Sequence, residues 1–356
     1  MSPPTSSYFA VQAIPHAGRG VVASRRIPAG TVILDSKAPA AHVIFRQYRR
    51  EVCAHCFEYD RGRTLPVRDS STGKVFCDRR CQGVWLAGQG ELGGEAWEAL
   101  HTFVQANSKA VASLGSTLLS IANPEREEID RAWYRAEKQS LRATTTPQLP
   151  TGTPAAKARF PSQAWAKHVD PDTLGYLLSG ILCAHQTNDR WQDEVLCLAA
   201  DDEPYKSMEE LDAHCNSFVQ LRAILPFDLL PSCTTTVCRA LANAGSRNVF
   251  GIRSGSDGEE YMGYAMYPSA SYFNHSCTPG IAKRRTGNVW EFCTVKEIEA
   301  GDECCITYLG GDEKDLTVWE RRARLDEVWG FECMCGRCVR EAESCPSQSL
   351  LSFGSS

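Results

Sequence analysis

No stretch of this chain approaches the ~20 consecutive apolar residues that a membrane-spanning helix needs, so no membrane association is expected. Excess basic charge is missing too: 38 Lys plus Arg stand against 43 Asp plus Glu, a formal net charge of −5. Proteins that coat nucleic acid neutralise phosphates with many Lys and Arg, so direct sequence-specific nucleic-acid binding is not expected. The first seven residues are polar and Pro-containing, without the basic flank and apolar centre of a secretory leader. The expected location is therefore the nucleus and/or the cytoplasm, where thiols stay reduced. Internal repeats are absent as well. What remains is ordinary for a folded protein: 356 residues, 43% hydrophobic and 23% charged. That allows one large or two to three modest domains with a sizeable core.

Cysteine is abundant, at 17 residues, and must be explained without disulfides. Nine cysteines are scattered (183, 197, 215, 233, 238, 293, 304, 305 and 345) and read mostly as small buried hydrophobes. Seven are grouped as Cys53-x2-Cys56, Cys77-x3-Cys81 and Cys333-x-Cys335-x2-Cys338. Such short steps bring two thiolates of one turn to the same tetrahedral Zn2+. Cys53, Cys56, Cys77 and Cys81 suffice for one structural site. The third group has three ligands and needs a fourth from elsewhere. Free thiols on a hairpin, or a redox pair at Cys53-Ala-His-Cys56, are the competing readings.

Along the chain, 8–45 alternates short β-rich runs with turns at His16-Ala-Gly-Arg-Gly20 and Pro28-Ala-Gly30. The segment 46–81 carries nine basic against five acidic residues, a local +4 in an acidic protein. It reads as a solvated surface or as a docking face for an acidic or peptide partner. From 82 to 142 the spacing is helical, around Trp85, Trp97, Leu100 and Phe103. The stretch 143–163, with four Pro, five Thr and no acidic residue, reads as a flexible loop. Asp170-Pro171 and Ser207-Met-Glu-Glu210 open helices, and a further helix is predicted over 233–244. Strand character returns at 249–252, 289–295 and 304–308. Strands at both ends of a helical middle predict an α+β fold: a β-rich core interrupted by insertions.

Four further segments stand out. Gly18-Arg-Gly20 is a bare GxG, by itself a turn. Asn274-His-Ser-Cys277 is an unusual polar quartet directly after Tyr272-Phe273. Ile306-Thr-Tyr308 follows Gly301-Asp-Glu303, and Trp329-Gly-Phe331 leads into the last cysteine group. Taken in order, Gly18-Arg-Gly-Val21 with Ile27-Pro-Ala-Gly30, then Tyr272-Phe-Asn-His-Ser-Cys277, Glu299-Ala-Gly-Asp-Glu303, Ile306-Thr-Tyr308 and Phe331-Glu-Cys-Met-Cys-Gly-Arg-Cys338, the sequence resembles the SET-domain protein lysine methyltransferases, within them the SET/MYND branch. The likeness covers roughly 8–81 and 248–340. The chain reads as a short form, with a reduced one-zinc MYND-like finger and no C-terminal helical-repeat domain. A second CxxC between Cys56 and Cys77 and a His-x3-Cys after Cys81 are both missing.

The resemblance implies a SET-domain β-fold with a pseudo-knot, in which the Asn274–Cys277 segment threads past the strand ending in Tyr308. It implies an N-terminal SET part at 8–45, the finger at 46–83, a helical insertion at 84–247, a second SET part at 248–312, a post-SET zinc segment at 313–340 and a flexible tail at 341–356. It supplies Cys277 as the fourth ligand beside Cys333, Cys335 and Cys338, hence two structural Zn2+. The implied activity is methyl transfer from S-adenosylmethionine to a lysine of a protein substrate. Cofactor binding then falls to Gly18, Arg19, Gly20, Asn248, Asn274, His275, Tyr308 and Phe331, with Tyr308 also catalytic. Tyr267, Tyr272 and Trp329 would line the lysine channel, Trp329 standing where relatives often have Tyr. The alternative is a catalytically idle SET fold serving as a zinc-dependent interaction scaffold.

Overall fold

A computed structural model describes residues 4–37, 39–107, 123–144, 169–254, 260–310 and 314–344. Most of the expected loop over 143–163, Cys345 and most of the expected tail over 341–356 lie outside the described residues; where they are described, 143–144 end one helix and 341–344 another. Strands run in the order β1 (Phe9–Ile14), β2 (Gly18–Ala23), β3 (Val32–Ser36), β4 (Ala41–Ile44), β5 (Val67–Arg68), β6 (Val75–Phe76), β7 (Val249–Arg253), β8 (Tyr261–Met266), β9 (Ile281–Thr286) and β10 (Val289–Thr294). The main helices are α1 (Arg79–Ala106), α2 (Arg126–Thr144), α3 (Pro171–Gln186), α4 (Met208–Ile224), α5 (Thr235–Asn248), α6 (Val318–Trp329) and α7 (Gly336–Ser344). The chain falls into two units, one within 37–268 and one within 2–36 and 269–356.

In the first unit, β4, β8 and β7 form an antiparallel sheet with β8 central. Gly263 in β8 has φ +157, and a Cβ there would overlap the backbone of Val43. Only glycine allows the two strands this close approach. Helix α3 packs on β4, and its near-continuous apolar run, Leu174 to Leu182, is buried. The start read from sequence holds: Asp170 accepts a hydrogen bond from the Thr173 amide at 2.8 Å, with Pro171 at the first helical position. At α4 only half of the expected capping box forms. Ser207 accepts from the Glu210 amide, but the Glu210 carboxylate accepts from the Lys206 amide instead of that of Ser207. The finger adds the β5–β6 hairpin and α1, whose helical path breaks at Gly90 (φ +66) so that Trp85 and Trp97 meet at 6.3 Å.

The second unit holds the β1–β2 hairpin and the sheet β3–β10–β9. β9 and β10 turn through Gly287-Asn288, Gly287 at φ +62 supplying the left-handed turn residue. The predicted strand over 304–308 does not form as a strand. Isolated bridges, Glu303 to Val22 antiparallel and Ile306 to His275 parallel, and single backbone hydrogen bonds, from Cys304 to the Val21 carbonyl and from Ile281 to the Cys305 carbonyl, hold that segment. The reason is spatial: the Asn274–Cys277 segment runs alongside, Ile306 donating to the Asn274 carbonyl and accepting from the Ser276 amide, both at 2.9 Å. That parallel pairing of two irregular segments is the crossing expected of the pseudo-knot.

Candidate active site

The site is assembled within the second unit. β1 and β2 meet in a tight turn at 15–17, Gly18 following at φ +73. Gly20 has a different reason to be glycine. A Cβ there would lie 2.6 Å from Glu303 Oε1 and 2.7 Å from Asn274 Nδ2. The β2 backbone therefore lies directly against the Asn274–Glu303 pair, which is joined by a 2.8 Å hydrogen bond from the amide to the carboxylate. Arg19, exposed on the same strand, lies over the buried Tyr272 ring at 5.1 Å.

His275 is oriented by two contacts. The Tyr308 backbone N–H donates to Nδ1 at 3.0 Å, so that nitrogen is the acceptor. Nε2 then carries the proton and faces Cys277 Sγ at 3.2 Å, where it favours the thiolate. The Tyr308 hydroxyl donates to the Phe273 carbonyl at 2.9 Å. Burial, and then the neighbouring Cys305 and Glu303, hold this phenol above its usual range, so it stays protonated. Around it stand Trp329 at 5.2 Å, His275 at 5.4 Å and Phe331 at 6.2 Å between ring centroids.

Trp329 and Phe331 are placed by how α6 starts and ends. A complete capping box, Thr317 with Glu320, opens the helix. Gly330 closes it in the left-handed conformation, its amide donating to the Asp326 carbonyl. The chain then turns directly into the cysteine cluster. Cys277 Sγ lies 3.8 Å from Cys333 Sγ and 3.5 Å from Cys338 Sγ, and all four ligand atoms including that of Cys335 fall within 4.8 Å of one another. A tetrahedron with Zn–S bonds of about 2.3 Å has edges of about 3.8 Å, so the quartet fits zinc. The finger quartet fits equally: Cys56 Sγ is 3.5 Å from Cys77 Sγ and 3.8 Å from Cys81 Sγ, with Cys53 in the same group.

Two residues escaped the sequence reading. Glu303 holds Asn274, and its signal was a carboxylate just before the Ile306-Thr-Tyr308 run. Arg321 is fully buried at the post-SET quartet. Its guanidinium donates to Cys338 Sγ at 3.3 Å, to the Leu316 carbonyl at 2.6 Å and to Glu341 at 2.6 Å. In sequence it is one of three arginines in a polar helix and carries no signal. Two expected site residues belong to the first unit. Asn248 is buried at the end of α5, its amide donating to the Ala199 and Ala244 carbonyls at 2.7 and 2.8 Å. Tyr267 is fully buried, edge-on to Phe250.

A family model for the SET domain matches residues 18–309. The chain belongs to the SET domain family. It is 27% identical over 377 residues to the potential protein lysine methyltransferase SET6 of Saccharomyces cerevisiae, covering 95% of this chain and 97% of that protein. A SET and MYND domain-containing protein of Dictyostelium discoideum is 34% identical over 109 residues, 31% of this chain and 27% of its own length. The mouse histone-lysine N-methyltransferase SMYD3 is 34% identical over 114 residues, 32% of this chain and 23% of its own. These likenesses support the SET/MYND branch.

Proposed function

We propose that this chain is an S-adenosylmethionine-dependent protein-lysine N-methyltransferase carrying two structural Zn2+. The observation that supports it best is the grouping, in one unit, of Gly20, Asn274, Glu303 and His275 with the ring cluster of Tyr308, Trp329 and Phe331. These residues suit the cofactor: a carboxylate and an amide against a glycine backbone, and aromatic faces that favour a cation. S-adenosylmethionine, when bound, supplies a methyl group on an electron-poor sulfonium.

The chain's own residues do the rest. Gly20 lets the backbone approach a ligand closely, and Asn274 and Glu303 offer a donor and an acceptor there. Tyr308, protonated, keeps lone pairs that can orient an amine and favour positive charge. Trp329, with Tyr308 beside it, offers a flat apolar wall for a lysine stem and excludes water, so that alignment contributes much of the acceleration. The zinc quartet holds Phe331 and Trp329 where α6 ends. The substrate is a protein bearing a target lysine; histone and non-histone proteins both fit this reading. The finger is assigned one zinc, and its basic surface an acidic or peptide partner. Reduced thiols favour the nucleus or cytoplasm. No described helix is long and apolar enough to cross a membrane.

The test is incubation of purified protein with labelled S-adenosylmethionine and a cell lysate, followed by mass spectrometry of labelled lysine. Label on lysine supports the transferase. No label, with cofactor bound in calorimetry, would leave an idle SET fold.

A further inference from the structure

We propose that the cavity between the finger hairpin and the C-terminal half of α1 binds a phosphorylated side chain of a protein partner. This inference concerns docking and stands independently of the transferase reading.

The cavity lies within the first unit and has a volume of about 560 Å³. Arg46, Arg50, Arg68 and Lys74 line it, against the single carboxylate of Glu51. A fifth cation, Arg49, is already matched by Asp172 at 2.8 Å. Among the described residues, none of the four has a carboxylate within ion-pair distance. Nearby acids are engaged elsewhere. Asp69 accepts from Ser71, Thr72 and Gln82. Asp172 takes the Arg46 backbone amide as well as Arg49.

The wall is built rather than accidental. The Lys74 ammonium sits 3.8 Å from the Trp97 ring centroid. Next to it, Gly73 has φ +70, and a Cβ there would overlap the His101 ring. Only glycine lets the hairpin close on α1. His101 is itself hydrogen bonded to Gln105 at 2.7 Å. Burial first, and the Arg49 charge second, lower Lys74 to about 7. An incoming anion would raise it again.

The chemistry favours a phosphoryl group. It carries about −1.5 to −2 charge and three acceptor oxygens. Arginine forks match those oxygens bidentately. A lone carboxylate would leave most of the cations unmatched. A nucleic acid is disfavoured because the whole chain carries −5, and because these cations line one cavity of about 560 Å³ rather than an extended face.

The experiment is isothermal titration of the zinc-loaded full-length protein at physiological salt. The probes are a short serine peptide in phosphorylated and unphosphorylated forms, inorganic phosphate, and a short DNA duplex. The phosphopeptide should bind roughly tenfold or more tighter than its unphosphorylated twin. Arg50→Glu and Arg68→Glu should each weaken it by roughly tenfold. Both side chains are exposed, so zinc content and circular dichroism should match the parent. Cofactor binding by the same variants should be unchanged, which separates failure here from failure of the transferase reading. Equal affinity for both peptides, or unchanged binding in both variants, overturns the proposal. So does binding of inorganic phosphate or duplex as tightly as the phosphopeptide, which would make this a free-phosphate or nucleic-acid site.

Discussion

Four cysteines gather twice in this protein, with the same ligand geometry and different neighbours. In the finger, the quartet is framed by a β-hairpin and by the start of α1, where Asp78 caps the helix by accepting from the Cys81 amide at 2.7 Å. In the post-SET segment, the quartet is tied to protein donors: Arg321 reaches Cys338, and His275 reaches Cys277. Four thiolates around Zn2+ carry a formal charge of about −2. With Zn2+ bound, the post-SET quartet would share that charge with a buried guanidinium and an imidazole N–H. Through the same imidazole it touches the Tyr308 backbone. One quartet therefore braces a local fold, while the other braces the residues proposed to do chemistry. Equal metal chemistry does not imply equal functional consequence.

The most severe test of that difference is a pair of ligand substitutions. Cys335→Ser should remove one of two zinc ions and abolish methyl transfer. Cys56→Ser should also remove one, yet spare much of the activity. Elemental analysis beside a turnover assay decides it; equal loss of activity in both would erase the distinction. Tyr308→Phe comes next. It deletes only the hydroxyl bonded to the Phe273 carbonyl, so both metals and the fold should persist while turnover falls by about 100- to 1000-fold. Parental turnover in this variant would favour the scaffold.

Arg321→Met sharpens the comparison more finely. Loss of the buried guanidinium leaves the Leu316 carbonyl and Cys338 without their donor. Zinc affinity of the post-SET quartet should drop by roughly 10- to 100-fold, with the finger quartet unaffected. Competition with a chromophoric chelator should show one weakened site; two weakened sites, or none, would contradict the assignment. The smallest effect is acid sensitivity in the first unit. Burial foremost, then the Lys74 charge, lowers His42 from 6.5 to about 3. The folded state thus keeps the ring neutral, while the unfolded chain takes up a proton below about pH 6.5. That stabilisation is complete above this pH and is lost as pH falls from about 6.5 toward 3. His42→Phe, which can still pack beside Phe57, should lower the slope of stability against pH in this window by up to about 1.4 kcal/mol per unit. Identical slopes in denaturant titrations of parent and variant would count against it.

Local chemistry made several of these features legible. Ligand spacing of two or three residues exposed the finger quartet, because one turn places both thiolates on one side. Asp170-Pro171 announced α3, because an N-cap and a helix-compatible φ are properties of adjacent residues. The β-rich runs on either side of the turn expected at His16 to Gly20 likewise announced the β1–β2 hairpin, although β2 begins at Gly18, inside that turn. Strand β9 was missed: its Ile-Ala-Lys-Arg-Arg-Thr run lacks apolar alternation, because after Ile281 its side chains are half-buried or exposed.

What only the tertiary structure decided involves residues far apart in sequence whose energies depend on meeting. Arg321 sits three residues after Val318 and four before Leu325, on their buried face, and sequence alone assigns such a residue to solvent. Burial of a charge is tolerated here because thiolate, carboxylate and carbonyl acceptors converge on it. Gly20 reads as a turn residue until Asn274 and Glu303 are found where its Cβ would be. The segment 304–308 reads as a strand by its residues. It pairs through isolated bridges and single hydrogen bonds because its neighbours are the irregular Asn274–Cys277 crossing and single residues of β2 and β9. The sequence by itself determined which residues can bind metal, cap helices and form hairpins, since those capacities belong to near neighbours. Which of them face one another was decided by chain crossing and burial, where the free energy of a side chain is set by partners that sequence distance conceals.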